Sequence, residues 1–103
     1  IAATTAQRVS ILPDTPTLGE TVTPGFDSGT WQGIVGPAAL PAPVVTKLNE
    51  AVNKVLAQPD TRGSLIAQGA MATGGTPGDY GKLIGSEYER WTRIIKETGT
   101  KSD

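Results

Sequence analysis

The sequence predicts an α/β fold made of short strands and two main helices. From residue 43 onward, apolar residues recur at the three- and four-residue spacing of amphipathic helices, over residues 43–57 and again over 77–98. Before residue 43, short apolar runs separated by proline and glycine are typical of strands and turns. At 103 residues, the chain is long enough for one domain at most.

The N-terminal part predicts a buried strand followed by a single helical turn. Residues 1–5, IAATT, form a short apolar run with threonine, as expected for a strand. The prolines of LPDTPT then favour extended backbone at the residues before them. Thr17 is a candidate N-cap, because Glu20 follows it by three residues as in a capping box.

Residues 11–37 form an unusual segment with four prolines and five glycines. They are too broken for a long helix or strand, yet they contain apolar and aromatic side chains. TWQGIV, residues 30–35, predicts a second strand. Trp31 is open to two interpretations, packing or the wall of a ligand pocket, because functional residues collect on loops held by a scaffold.

The second half of the chain predicts a long helix and a short one in succession. Residues 43–57 combine a proline at the first helical position with an apolar face at helical spacing. The shorter helix begins at Pro59, and we expect it to bury Leu65 and Ile66 and to end at Gly69.

The last helix, residues 77–98, follows a possible third short strand at 70–75, AMATGG. Thr76 and Asp79 match a capping box, and Gly99 marks the helix end. An apolar stripe runs along this helix, and we expect it to face the core: Tyr80, Ile84, Tyr88, Trp91 and Ile95.

Composition excludes several classes of function. The chain has no cysteine and no histidine, which removes thiolate nucleophiles, the commonest general base and the commonest zinc ligands. Nine basic and ten acidic residues leave a net charge of −1, with no basic stripe for nucleic acid. No apolar run is long enough to insert into a membrane. We therefore expect no catalytic residues, no metal site, no cofactor and no nucleic-acid partner.

The candidate ligand contacts follow the first predicted strand. TTAQR, residues 4–8, places hydroxyls and an arginine at a strand end, where open α/β sheets bind ligands. The hydroxyls of Thr4 and Thr5 could hold a carboxylate. The alternative is that both threonines belong to the strand and that Arg8 is a surface charge.

Two other candidates have structural explanations. The glycine pair 74–75 could cradle an anion at the start of the last helix. It lacks the phosphate-loop and dinucleotide patterns, so a turn before a capped helix explains it better. Glu87 and Glu89 are two positions apart and point away from each other on a helix, so they do not form an acid/base pair. No acid/base partner is evident for Glu20, Asp27 and Asp60, and we expect all of these carboxylates to be solvated.

Six segments in this order resemble the C-terminal third of the tripartite tricarboxylate transporter receptors, the Bug-type solute-binding proteins: AATTAQR, LPDTPTLGE, PGFDSGTWQGIVGPAALP, VVTKLNEAVNKVLAQPD, AQGA and GGTPGDYGKLIGSEYERWTRIIKETG. The resemblance implies a fragment of a two-lobed, Venus-flytrap receptor in the periplasm, with a signal peptide upstream. Such a receptor is not an enzyme. It captures small carboxylates by lobe closure for the subunits of a membrane transporter.

The resemblance also implies an organisation for the chain. Residues 1–8 would end the sheet of one lobe, 9–37 would be the inter-lobe crossover or hinge, and 38–103 would be the helical C-terminal part of the other lobe. Ligand contacts are expected at Thr4, Thr5 and Trp31. A missing lobe would expose apolar surface and favour self-association. The alternative is a free-standing interaction or structural module without solute binding.

Overall fold

The computed structural model describes residues 1–102, which contain four helices in chain order. They are α1 (Leu18–Thr21), α2 (Ala42–Leu56), α3 (Pro59–Ala67) and α4 (Pro77–Thr98). The two main helices of the prediction are α2 and α4, with bounds within one residue of those expected. The short helix after Pro59 is α3, and glycines with positive φ follow α3 and α4 where predicted, at Gly69 and Gly99.

The predicted strands are wrong for the chain as described. Within residues 1–102, the β-structure is one isolated parallel bridge between Ala3 and Thr17. Residues 30–35 and 70–75 are extended or irregular and have no neighbouring strand. A strand needs a hydrogen-bonded partner, and the helical half of the chain offers none. The α/β expectation is therefore met only in its helices.

Residues 1–28 form a small unit joined by backbone hydrogen bonds. The Ala3 N–H donates to Pro16 O and the Leu18 N–H donates to Ala3 O, both at 2.8 Å. The Ser28 N–H donates to Thr4 O at 2.7 Å. The N-terminal segment therefore touches both the start of α1 and the chain that leaves it.

Both predicted capping boxes are confirmed. At α1, Thr17 Oγ1 accepts from the Glu20 N–H at 3.1 Å and Glu20 Oε2 accepts from the Thr17 N–H at 3.0 Å. At α4, Thr76 and Asp79 make the same pair of bonds at 3.1 and 3.0 Å. Hydrogen bonds from the cap lower the pKa of Asp79 below its usual value, because they favour the charged carboxylate.

The glycine pair before α4 is a turn tied to α2. The Asn53 side chain donates to Gly75 O at 2.8 Å and accepts from the Gly75 N–H at 2.9 Å. Gly75 has a φ of 124°, which only glycine adopts readily. A Cβ on Gly74 would overlap Asn53 Oδ1. The turn thus fixes the start of α4 against α2.

The expected hydrophobic core is absent from residues 1–102. Thr17, 1% exposed, is the one buried residue in this part of the chain, and no apolar side chain there is buried. The prediction that Leu65 and Ile66 are buried is therefore wrong, and the α4 stripe is not enclosed, with Tyr88 74% exposed. The physical reason is that no second layer of structure covers the apolar faces of the helices.

The surface area quantifies this exposure. The described chain exposes 8395 Å², whereas a compact 10.7 kDa monomer exposes about 5,500 Å². The radius of gyration is 16.6 Å, against about 13 Å for a compact domain of this length. The helices are regular, but they do not close around a core.

Candidate functional site

The two candidate threonines lie in a loop next to the β-bridge between Ala3 and Thr17. Thr4 has an exposed side chain, and its carbonyl oxygen accepts from the Ser28 N–H. The Thr5 hydroxyl donates to Gln7 O at 2.7 Å. The Thr4 hydroxyl is therefore open to solvent. The Thr5 hydroxyl donates its proton within the loop, so towards a ligand its oxygen can act only as a hydrogen-bond acceptor.

Asp27 is a further member of this loop that the sequence analysis did not place there. Its Oδ1 accepts from the Ala6 N–H at 3.0 Å, so it is not simply solvated as expected. Aspartate commonly bonds backbone N–H groups in loops. The sequence carries no signal for this pair, because 21 positions separate the two residues.

Arg8 and Glu20 form an ion pair beside the loop. Arg8 Nε lies 3.0 and 3.2 Å from the two Glu20 oxygens, and Nη1 donates to Pro13 O at 3.3 Å. The hydrogen bond from the Thr17 N–H lowers the pKa of Glu20, and Arg8 lowers it further. Glu20 therefore has two partners, which corrects the expectation of a solvated carboxylate.

Trp31 contacts the first turn of α4. Its ring centroid lies 5.7 Å from that of Tyr80, with the two planes at 82°, an edge-to-face arrangement. Trp31 nevertheless remains 41% exposed. A Cβ on Gly33 would overlap the Tyr80 ring, so glycine allows this close approach. Trp31 thus packs on one side and presents its other surface outward.

The three candidate residues lie in two neighbouring stretches of chain, residues 4–5 and 28–31, which together form a strip. Ser28 bonds Thr4, and a Cβ on Gly29 would lie 3.7 Å from Thr5 Cγ2. Trp31 follows Gly29 by two residues, a span of at most about 7 Å. The structure thus brings the threonine loop beside the segment that carries the indole, although the direct contact of Trp31 is with Tyr80.

The start of α4 has few donors left for an anion. The Gly75 N–H donates to Asn53 Oδ1, and the Thr76 N–H donates to Asp79 Oδ2. The Asp79 N–H is bonded to Thr76 Oγ1, and Pro77 has no N–H. This arrangement favours the structural interpretation of the glycine pair.

Glu87 also has two partners on α4, Trp91 and Arg90. Its Oε2 accepts from Trp91 Nε1 at 2.9 Å and its Oε1 lies 3.4 Å from Arg90 Nη1. The Arg90 guanidinium lies 5.7 Å from the centre of the Trp91 ring. These contacts lie along α4 and order its surface, which corrects the expectation that Glu87 is solvated.

Two surface hollows lie outside this strip. One is lined by side chains of α4 alone, between Tyr88 and Glu97, and the other lies where Ser10 and Ile11 approach the end of α3. Within residues 1–102 no three acidic side chains cluster as metal ligands would, and no helix has the length and apolarity needed to cross a bilayer.

Comparison with known proteins places these features in context. The model of the tripartite tricarboxylate transporter family receptor matches residues 1–100. A protein encoded in the tcbD-tcbE intergenic region of Pseudomonas sp. strain P51 is 38% identical over 98 residues, which is 94% of this chain and 29% of that protein. Protein BugT of Bordetella pertussis is 28% identical over 101 residues, 98% of this chain and 31% of BugT.

A solved structure has the same fold over this length. Rpa4515 of R. palustris with adipate superposes with a TM-score of 0.81 at 32% identity, over 96% of this chain and 33% of that one. The chain therefore spans about a third of the proteins it matches. With the family model matched from residue 1 to 100, the chain belongs to the tripartite tricarboxylate transporter receptor family.

Proposed function

We propose that this chain is the C-terminal part of a periplasmic receptor that captures small carboxylates for a tripartite tricarboxylate-type membrane transporter. The observation that carries the proposal is the likeness to Rpa4515 with adipate, at a TM-score of 0.81 over nearly the whole chain. Receptors of this kind bind solutes and pass them to transporter subunits without catalysis.

In this proposal, capture occurs by lobe closure. Residues 1–8 end the sheet of one lobe, 9–37 cross between lobes, and 38–103 form the helical part of the other lobe. The Thr4 and Thr5 hydroxyls contribute polar contacts, and Trp31 forms a wall. Closure is favoured by solute because the closed state satisfies more of its polar groups than the open state does.

The exposed surface supports the proposal. The described chain exposes roughly 2,900 Å² more than a compact monomer of its mass. That excess is several times the ~800 Å² per partner of a standard protein interface. Surface of this extent is expected where the rest of a receptor covers a segment. A second copy of the chain could cover it instead, which is the basis for self-association of the isolated chain.

The second candidate is an interaction module without solute binding. The same exposed apolar surface favours it, because large apolar patches mark protein-protein contacts. The two functions differ in one measurable property, the saturable binding of a carboxylate.

The test is a calorimetric titration of receptor-length protein that carries this chain. We expect saturable binding of adipate or another small mono-, di- or tricarboxylate, and none of adipamide, which has the same length without the charges. Thr4→Val, which removes the exposed hydroxyl at constant shape, should weaken binding about tenfold. A folded protein that binds no member of such a panel contradicts the receptor function and favours the interaction module.

A further inference from the structure

The segment that carries Trp31 contacts the Tyr80 ring and has few backbone anchors of its own. Within residues 1–102, no hydrogen bond involves the backbone of residues 29–36. The last anchor before them is the bond from the Ser28 N–H to Thr4 O, and the next is the bond from the Leu40 N–H to Pro37 O. Between these two hydrogen bonds, the ring of Trp31 contacts the ring of Tyr80.

The backbone of Tyr80 is fixed by the capped start of α4. This residue lies in the first turn of α4, where the Thr76–Asp79 capping box fixes the backbone. The preceding turn is bonded to α2 through Asn53 and Gly75. Hydrogen bonds from α2 therefore hold the start of α4, which carries Tyr80. The Tyr80 ring in turn contacts the indole of Trp31.

Gly33 shows that this contact is close on both sides of the segment. The Tyr80 ring occupies the space where a side chain at position 33 would begin. The ring therefore contacts the segment at residue 31 and again at residue 33. Two contacts of one ring fix both the location of the segment and the orientation of the indole.

We propose that Tyr80 is a positioning residue that sets the place and orientation of Trp31 beside the Thr4–Thr5 loop. This inference rests on the proposed receptor function, in which Trp31 contacts the solute. The aromatic ring of Tyr80 carries the role. Phenylalanine keeps the ring that makes the edge-to-face contact with Trp31, so it should replace tyrosine without loss of that contact.

The first test compares solute affinity in three variants of the receptor-length protein. Tyr80→Ala should weaken adipate binding about tenfold, because the edge-to-face contact that orients Trp31 is lost. Tyr80→Phe should bind within about twofold of the unmodified protein. Lys82→Ala is the matched control, since Lys82 lies two residues from Tyr80 on the same helix and is a charged, exposed residue.

Affinity is measured well below the unfolding temperature of each variant, so that lost stability does not lower the apparent affinity. Unchanged adipate binding in Tyr80→Ala would overturn the proposal. A loss in Tyr80→Phe equal to that in Tyr80→Ala would also overturn it, because the hydroxyl and not the ring would then carry the role.

A second test needs no solute and separates this inference from the receptor function. Iodide quenching of Trp31 fluorescence is obtained by subtracting the signal of a matched Trp31→Phe protein. We expect quenching to rise in Tyr80→Ala and in Gly33→Ala, and to stay unchanged in Tyr80→Phe and Lys82→Ala. If the unmodified protein binds no carboxylate, the receptor function fails, and quenching still decides whether Tyr80 holds Trp31. Equal quenching in all variants contradicts the proposal.

Discussion

Residues 1–28 and residues 42–98 are built in opposite ways. The first region has one short helix, yet hydrogen bonds tie it together and it contains Thr17, the one buried residue among residues 1–102. The second region is mostly helix, yet none of its apolar side chains is buried. Hydrogen-bonded loops with one buried residue and regular helices without any are therefore separate features, and neither region encloses an apolar core.

The largest expected effect exploits the exposed helices. Leu48 on α2 is 53% exposed in this chain, so Leu48→Ala should change its free energy of unfolding by less than about 0.5 kcal/mol. If the rest of a receptor covers α2, the same change in receptor-length protein should cost about 2–5 kcal/mol. Urea unfolding of both proteins measures the difference. Equal small effects would show that α2 stays exposed in the longer protein.

A smaller effect is expected at the two capping boxes. Thr17→Ala should destabilise the protein by about 1–2 kcal/mol, because it removes a buried acceptor for the Glu20 N–H. Thr76→Ala removes the same bond at an exposed site and should cost about 0.5–1 kcal/mol. Urea midpoints compare the pair. A larger loss at Thr76 would contradict the view that burial distinguishes the two regions.

The smallest effect is a dependence on acid pH. Glu20 and Asp79 have folded-state pKa values below their ordinary values of 4.5 and 3.8. Their contribution to stability is therefore complete above those ordinary values and is lost as pH falls through the lower, folded values. Unfolding midpoints measured from pH 6 down to pH 3 should fall, and Glu20→Gln should flatten the decline. An undiminished slope in Glu20→Gln would count against the role of that carboxylate.

The parts of the fold that were predictable depend on residues close together in sequence. The capping boxes, the bounds of α2 and α4 and the left-handed glycines follow from signals within four residues. The strands and the buried stripe were predicted but are absent from residues 1–102. Each needs a partner layer that these residues do not supply, and local sequence patterns do not show whether such a layer exists.

The candidate site follows the same division. The short apolar run with threonines predicted a strand end at Thr4 and Thr5, and it gave no indication of the residues that lie beside them. Arg8 with Glu20, Ala6 with Asp27 and Trp31 with Tyr80 are separated by 12, 21 and 49 positions. No local pattern pairs such residues, and each contact depends on the path of the whole chain.

The close approach of Gly33 to Tyr80 has an evolutionary consequence. Since a methyl group at position 33 would meet the outer end of the Tyr80 ring, alanine there requires the ring to shift or to be smaller. Replacement of Gly33 by alanine should be tolerated when residue 80 shrinks in the same lineage, and should be rare otherwise. The two positions should therefore vary together among relatives, with a smaller residue at position 80 where position 33 carries a side chain.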